Sequence, residues 1–209
     1  MRNTFSLRLL AALFLLSGVA ALTYQLIWQR ALFRIYGIDI VSVTVVVTAF
    51  LLGLGLGSLL GGAVSRRVPE RALIPLFAAI ELGIGLYGVF SLRLFAWVGS
   101  ATAGATSPLG TGVLSFALVL LPTLLMGSTL PILVAWLTAR WGNVGRSVGV
   151  LYGATTLGSG VACLLTAAIL LGALGLQATT AVAAAMNALV AGTVLWAWRR
   201  RGAAEGGAS

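Results

Sequence analysis

Apolar residues run through this chain in long, nearly unbroken stretches, without the one-sided stripe of a soluble helix or the alternation of a half-buried strand. Six stretches are long enough to cross a bilayer, which takes roughly 20 helical residues. They run from Leu9 to Trp28, Val41 to Val64, Leu73 to Val98, Leu109 to Leu137, Ser147 to Leu171 and Leu174 to Trp198. The polar punctuation between them is short. The pattern predicts an all-α integral membrane fold, with a six-helix transmembrane domain over residues 1–198 and a short cytoplasmic tail over 199–209. No segment between the spans approaches the roughly 100 residues of a typical soluble domain. Met1 to Arg8, with Gly18, Ala20 and Ala21 further on, also has the shape of a signal peptide, but the apolar run continues to Trp28 and favours a retained helix.

Charge sets the orientation. The 209 residues include 13 basic and 4 acidic side chains, for a net charge of +9, and every basic residue is arginine. Arg2, Arg8, Arg66, Arg67, Arg71, Arg140, Arg146, Arg199, Arg200 and Arg201 fall on one side of a six-span arrangement, against Arg30, Arg34 and Arg93 on the other. The positive-inside rule then predicts that both termini are cytoplasmic, in a bacterial-type inner membrane. Trp28, Trp97, Trp136, Trp141, Trp196 and Trp198 lie near span ends, where an interfacial ring is expected. Arginines that punctuate apolar runs argue for a lipid bilayer as partner and against nucleic acid. The absence of lysine and histidine excludes Schiff-base chemistry, histidine triads and histidine metal sites within this chain. The single Cys163 makes no internal disulfide and no thiolate zinc site. No metal or cofactor is expected.

Glycine spacing carries a packing signal. Gly53-Leu54-Gly55-Leu56-Gly57 mimics a dinucleotide loop, but no strand precedes it and no soluble helix follows. Gly53, Gly57 and Gly61 instead place a bare stripe on one helix face, and Gly145, Gly149 and Gly153 repeat the device in helix 5. Both stripes fall toward the cytoplasmic side, so helices 1–3 and 4–6 read as an inverted 3+3 repeat. Helix 4 carries Pro122 and Pro131, and each removes a helical donor. Thr123, Ser128 and Thr129 lie beside them and are expected to satisfy the freed carbonyls, in a helix either kinked for packing or broken around a cavity.

Among intramembrane polar residues Glu81 is the most pointed. It lies about 12 Å into helix 3 at 1.5 Å per residue, near mid-bilayer. A carboxylate at that depth is either a cation- or proton-binding group or the partner of an arginine or of backbone donors. Tyr24, Gln25, Arg30, Arg34 and Asp39 form a second polar group at the outer end of helices 1 and 2, as an interfacial extension or an outer gate. Tyr152, Thr155, Thr156 and Asn187 are further cavity candidates.

The run Ser17 to Arg30 resembles the first helix of fused major-facilitator/spermidine-synthase-like membrane proteins. Leu52 to Ser58, Glu81 to Gly85, Leu121 to Pro131, and Gly145-Arg146 with Gly149, Leu151, Tyr152 and Thr156 to Gly158 resemble later segments of that family in the same order. The resemblance implies half of a major-facilitator-like fold and a polyamine-related substrate. Two positions depart from it: Ser65 stands where an aspartate is usual, and Thr155 where asparagine is frequent. The soluble aminopropyltransferase-like domain of the family has no counterpart here. The expectations are therefore a transporter module for a small cationic metabolite, dimeric because six helices make half a cavity. The alternative is an anchor subunit for a separate aminopropyltransferase-like protein. Catalysis is the least supported reading.

Overall fold

The computed structural model describes residues 7–37, 39–102 and 108–206, with helices as the regular elements among them. They are α1 (Leu7–Tyr36), α2 (Asp39–Ser65), α3 (Glu70–Thr102), α4 (Pro108–Trp141), α5 (Val144–Leu165) and α6 (Leu171–Gly206), with a π turn (Thr166–Leu170) joining α5 to α6. Six helical segments are long and apolar enough to cross a membrane. The chain is thus built as a polytopic membrane protein.

The links follow from local chemistry. Gly37 ends α1 and Gly142 ends α4, both in the left-handed region (φ +66 and +65). Each donates its N–H back four residues, to Phe33 and Thr138 at 2.8 and 2.9 Å, the glycine helix stop that a Cβ would strain. Asn143 then caps α5 by accepting from the Arg146 N–H at 2.9 Å. The last reversal falls beside the join that the apolar pattern predicts between Leu171 and Leu174. The backbone breaks at Gly175 (φ 72, ψ 179), where Thr179 donates to the Gly175 and Leu170 carbonyls across the kink.

α2 packs on α4, α1 on α5 and α3 on α6, with secondary contacts of α3 with α4 and α1 with α6. Two apolar clusters stack along the bundle. One gathers Leu10, Phe14, Ile74, Phe77, Trp136, Leu137 and Val194, at the end where α1 and α3 begin and α4 and α6 finish. The other gathers Tyr24, Ile27, Trp28, Val46, Phe50 and Phe95 nearer the opposite end. Trp28 is thus a core residue, fully buried, stacked on Tyr24 and donating to Ser91 Oγ at 3.0 Å. Its expected interfacial place is corrected because α1 runs a further two turns, to Tyr36. Trp97 and Trp196 do lie exposed on the surface.

The α2·α4 and α1·α5 seams share one set of contacts. A Cβ on Gly57 would meet the Leu124 carbonyl, and one on Gly127 the Leu54 carbonyl. Across the other seam, a Cβ on Gly158 would meet the Leu15 carbonyl, and one on Gly18 the Thr155 carbonyl. Such bare approach lets two helix backbones touch. The packing role expected of Gly53, Gly57 and Gly61 fits, since all three press on α4. That of Gly145, Gly149 and Gly153 is corrected. Gly149 and Gly153 meet nothing within 4 Å, and Gly145 meets only Asn143 Oδ1 at 3.8 Å. α5 turns Ser147, Leu151, Gly158 and Ala162 inward, and Gly149, two residues from Leu151, falls on the far side at 100° per residue.

Candidate functional site

Glu81 is fully buried in the middle of α3. Ser17 of α1 donates to its Oε1 at 2.7 Å, and the Asn187 amide of α6 donates to its Oε2 at 2.7 Å. The bond across α3·α6 is close because Gly85, one turn along, leaves room for Asn187 and Ala184. Ile80, beside Glu81, packs on both apolar clusters, so the carboxyl lies between them. Among the described residues no cation answers it, and the salt bridge is Arg140 Nε to Glu70 at 3.1 Å, between two partly exposed side chains. The described partners of Glu81 are the Ser17 and Asn187 side chains. A carboxylate removed from water without a cation is costly unless it is neutralised by a proton or a cationic ligand.

Two buried polar atoms beside this group are unpartnered among the described residues: Asn187 Oδ1 and the Tyr24 hydroxyl. Tyr24 is held by its stack on Trp28 (5.4 Å between centroids) and by Gly88, whose missing Cβ makes room for the phenol ring. The sequence places Tyr24 with Gln25, Arg30, Arg34 and Asp39 at an outer mouth. The structure separates them: Tyr24 points into the core, Gln25 is half-buried, and Arg30 and Arg34 are exposed. The Asp39 side chain lies outside the described residues.

A cavity of about 280 Å³ opens inside the bundle, and both partners of Glu81, Ser17 and Asn187, lie in its wall. Hydroxyls of Ser58, Thr129, Tyr152, Thr155, Thr156 and Ser159 surround it, interleaved with apolar Phe14, Phe50, Leu54, Ile84, Met126 and Leu130. No arginine is among the described lining residues. Tyr152 and Thr156 are exposed and stand at the mouth, so Asn187, Tyr152, Thr129, Thr155 and Thr156 share one cavity with the wall that holds Glu81.

The α4 prolines resolve differently from the sequence expectation. α4 stays one helix, with Pro122 and Pro131 inside it. Pro122 cannot donate to Leu118 O, which accepts instead from the Tyr87 hydroxyl of α3 at 2.6 Å. Pro131 cannot donate to Gly127 O, which accepts from Ser58 Oγ of α2 at 3.0 Å. Thr123, Ser128 and Thr129 leave those carbonyls alone and bond within their own turn, to Leu120, Leu125 and Met126 carbonyls at 2.9, 2.7 and 2.7 Å. Thr123 also reaches Ala49 O at 3.3 Å, across to α2. The sequence pattern does not single out Ser17, Ser58 and Ser159, which line the cavity, or Tyr87, which braces α4. One signal for two of them is present in the sequence, where Leu-Gly-Ser occurs at 56–58 and again at 157–159.

No family model, curated protein or solved structure matches this chain.

Proposed function

We propose that the chain is a transporter-like module that accepts a small cationic solute in the cavity beside Glu81. The observation that carries this reading is a fully buried carboxyl with no cation beside it among the described residues, held by two residues of a cavity wall. Intramembrane acids in that setting mark ion and substrate paths. The paired seams support the expected inverted repeat. Gly57, Leu124, Gly127 and Leu54 on one side correspond to Gly158, Leu15, Gly18 and Thr155 on the other, and helices joined by short links alternate in direction. Under the exchange of α1–α3 with α4–α6, the α2·α4 contact becomes α5·α1 and the α3·α4 contact becomes α6·α1, and both members of each pair are present. The cavity then lies where the two repeats meet. The resemblance to half of a major-facilitator-like fold points the same way, and the arginine distribution supports cytoplasmic termini.

The open face of α5 favours a second reading. Gly149 and Gly153 meet nothing, which suits a docking partner, either a second copy or a separate aminopropyltransferase-like protein. Counterflow in proteoliposomes separates the readings. Vesicles loaded with unlabelled 2-phenylethylamine, putrescine, spermidine or glucose are challenged with the labelled solute, with Glu81→Gln as control. Exchange of one cation above the protein-free background, lost in Glu81→Gln, supports transport. Background exchange for all four, with a soluble protein retained on purification, supports the anchor.

A further inference from the structure

We propose that the cavity selects an organic monocation, a single ammonium on a compact apolar body, and discriminates against the polyamines that the sequence resemblance suggests. This rests on the cavity being the binding site of the reading above.

Charge count comes first. Among the described residues, Glu81 is the one acidic side chain behind the cavity wall, and no arginine lines it. Glu70, the other acid whose side chain is described, is engaged by Arg140 at 3.1 Å. One carboxylate neutralises one positive charge. A second or third ammonium carried into the same apolar surroundings stays unpaired, and an unpaired intramembrane charge is strongly disfavoured. An anion fares worse, with no cation to meet it.

Hydrogen-bond valence places the head group. Ser17 spends its proton on Glu81 Oε1, which leaves the lone pairs of its hydroxyl free to accept. Asn187 spends its amide on Oε2 and keeps Oδ1 unpartnered. Two acceptors thus lie one hydrogen bond in front of the carboxylate, and an ammonium supplies the missing donors once the buried Asn187 amide turns its Oδ1 to the cavity.

Size and texture place the body. At about 280 Å³ the cavity stands at the lower end of ligand pockets, which run roughly 300–1,000 Å³, and so suits a small compact solute. Phe14, Phe50, Ile84 and Met126 offer apolar wall to a compact body. 2-Phenylethylamine has that size and one charge, and 2-phenylethanol is its uncharged counterpart.

The test is thermal unfolding of the detergent-purified full chain, titrated with 2-phenylethylamine, 2-phenylethanol, putrescine and spermidine. Saturable stabilisation by the monoamine is expected. It should occur at concentrations about tenfold or more below those needed for the alcohol or for either polyamine, as loss of a charge-assisted hydrogen bond implies. Glu81→Gln should remove that preference. Should Glu81→Gln fail to fold, Ser17→Ala, which removes one acceptor and keeps the carboxyl, should weaken the monoamine selectively and leave the alcohol unchanged. Tighter binding of spermidine or putrescine overturns the proposal, as does equal binding of amine and alcohol or the absence of saturation with every probe. Saturable monoamine binding with no counterflow removes the transport reading and keeps this one. Counterflow of putrescine or spermidine with no monoamine binding does the reverse, and counterflow of glucose alone overturns both.

Discussion

The α2·α4 and α1·α5 seams are built from the same parts, yet they are not equally tight. In both, a Leu-Gly-Ser segment lays its glycine against a partner carbonyl and its serine reaches the carbonyl of the partner's own glycine. Ser58 reaches Gly127 O at 3.0 Å, whereas Ser159 reaches Gly18 O at 3.4 Å. The residue four positions on explains the difference. Pro131 has no N–H and leaves Gly127 O free, while Leu22 carries the N–H that a helix gives to Gly18 O. α2 adds Gly53 and Gly61 to its seam, whereas the corresponding positions of α5 carry Ala154 and Ala162. A proline inside a membrane helix thus frees the carbonyl four residues before it to accept from a neighbour, and it makes one of two related seams the firmer. The looser α1·α5 seam is the one expected to part more readily.

The strongest test of this contrast is steric. Gly57→Leu or Gly127→Leu drives a side chain into backbone, which cannot retreat as a side-chain tip does. It should cost about 3 kcal/mol or more, seen as a lower Tm and loss of the monodisperse species. Gly158→Leu should cost nearly as much, and Gly149→Leu or Gly153→Leu should stay within about 0.5 kcal/mol of the parent. An equal penalty at Gly149 would place a partner on the open face of α5.

Next in size is the pair at the centre of the bundle. Asn187→Leu removes a donor from a buried carboxyl, at about 1–3 kcal/mol. Asn187→Gln, which keeps an amide, should recover part of the loss in the same unfolding measurement.

The serine bonds are smaller. Ser58→Ala should cost about 1 kcal/mol and Ser159→Ala about half that, in the range of interhelical hydrogen bonds within membranes. Adding Pro131→Leu, which restores the N–H to Gly127 O, should bring the two alanine penalties together. A larger penalty at Ser159 than at Ser58 in the parent would contradict the proline account.

Much of the architecture could be read from the sequence because bilayer thickness alone turns long apolar runs into helices. Glu81, Asn187, Tyr152 and Thr155 could be found because polar groups in hydrocarbon need partners. Their grouping could not. That Tyr24 turns inward while Arg30 and Arg34 stay exposed depends on helix rotation, which nearly uniform hydrophobicity does not encode. The same degeneracy explains why two glycine stripes of equal spacing met such different fates. In α2 the stripe faces α4, and in α5 it faces outward, with the single Gly158 on the packed side. The proline-freed carbonyls predict that some hydroxyl must come, but only the packing shows that Tyr87 and Ser58 supply it.

The central claim is that the cavity beside Glu81 serves passage across the membrane, and accessibility tests it without a known substrate. On a Cys163→Ser background, Ser58→Cys and Ser159→Cys place one thiol on each seam, both in the cavity wall. A membrane-impermeant thiol reagent is applied to sealed vesicles from one side or the other. The account predicts that each cysteine reacts from both sides, faster at Ser159→Cys on the looser seam. Reaction from one face only, or from neither in a folded protein, would contradict it.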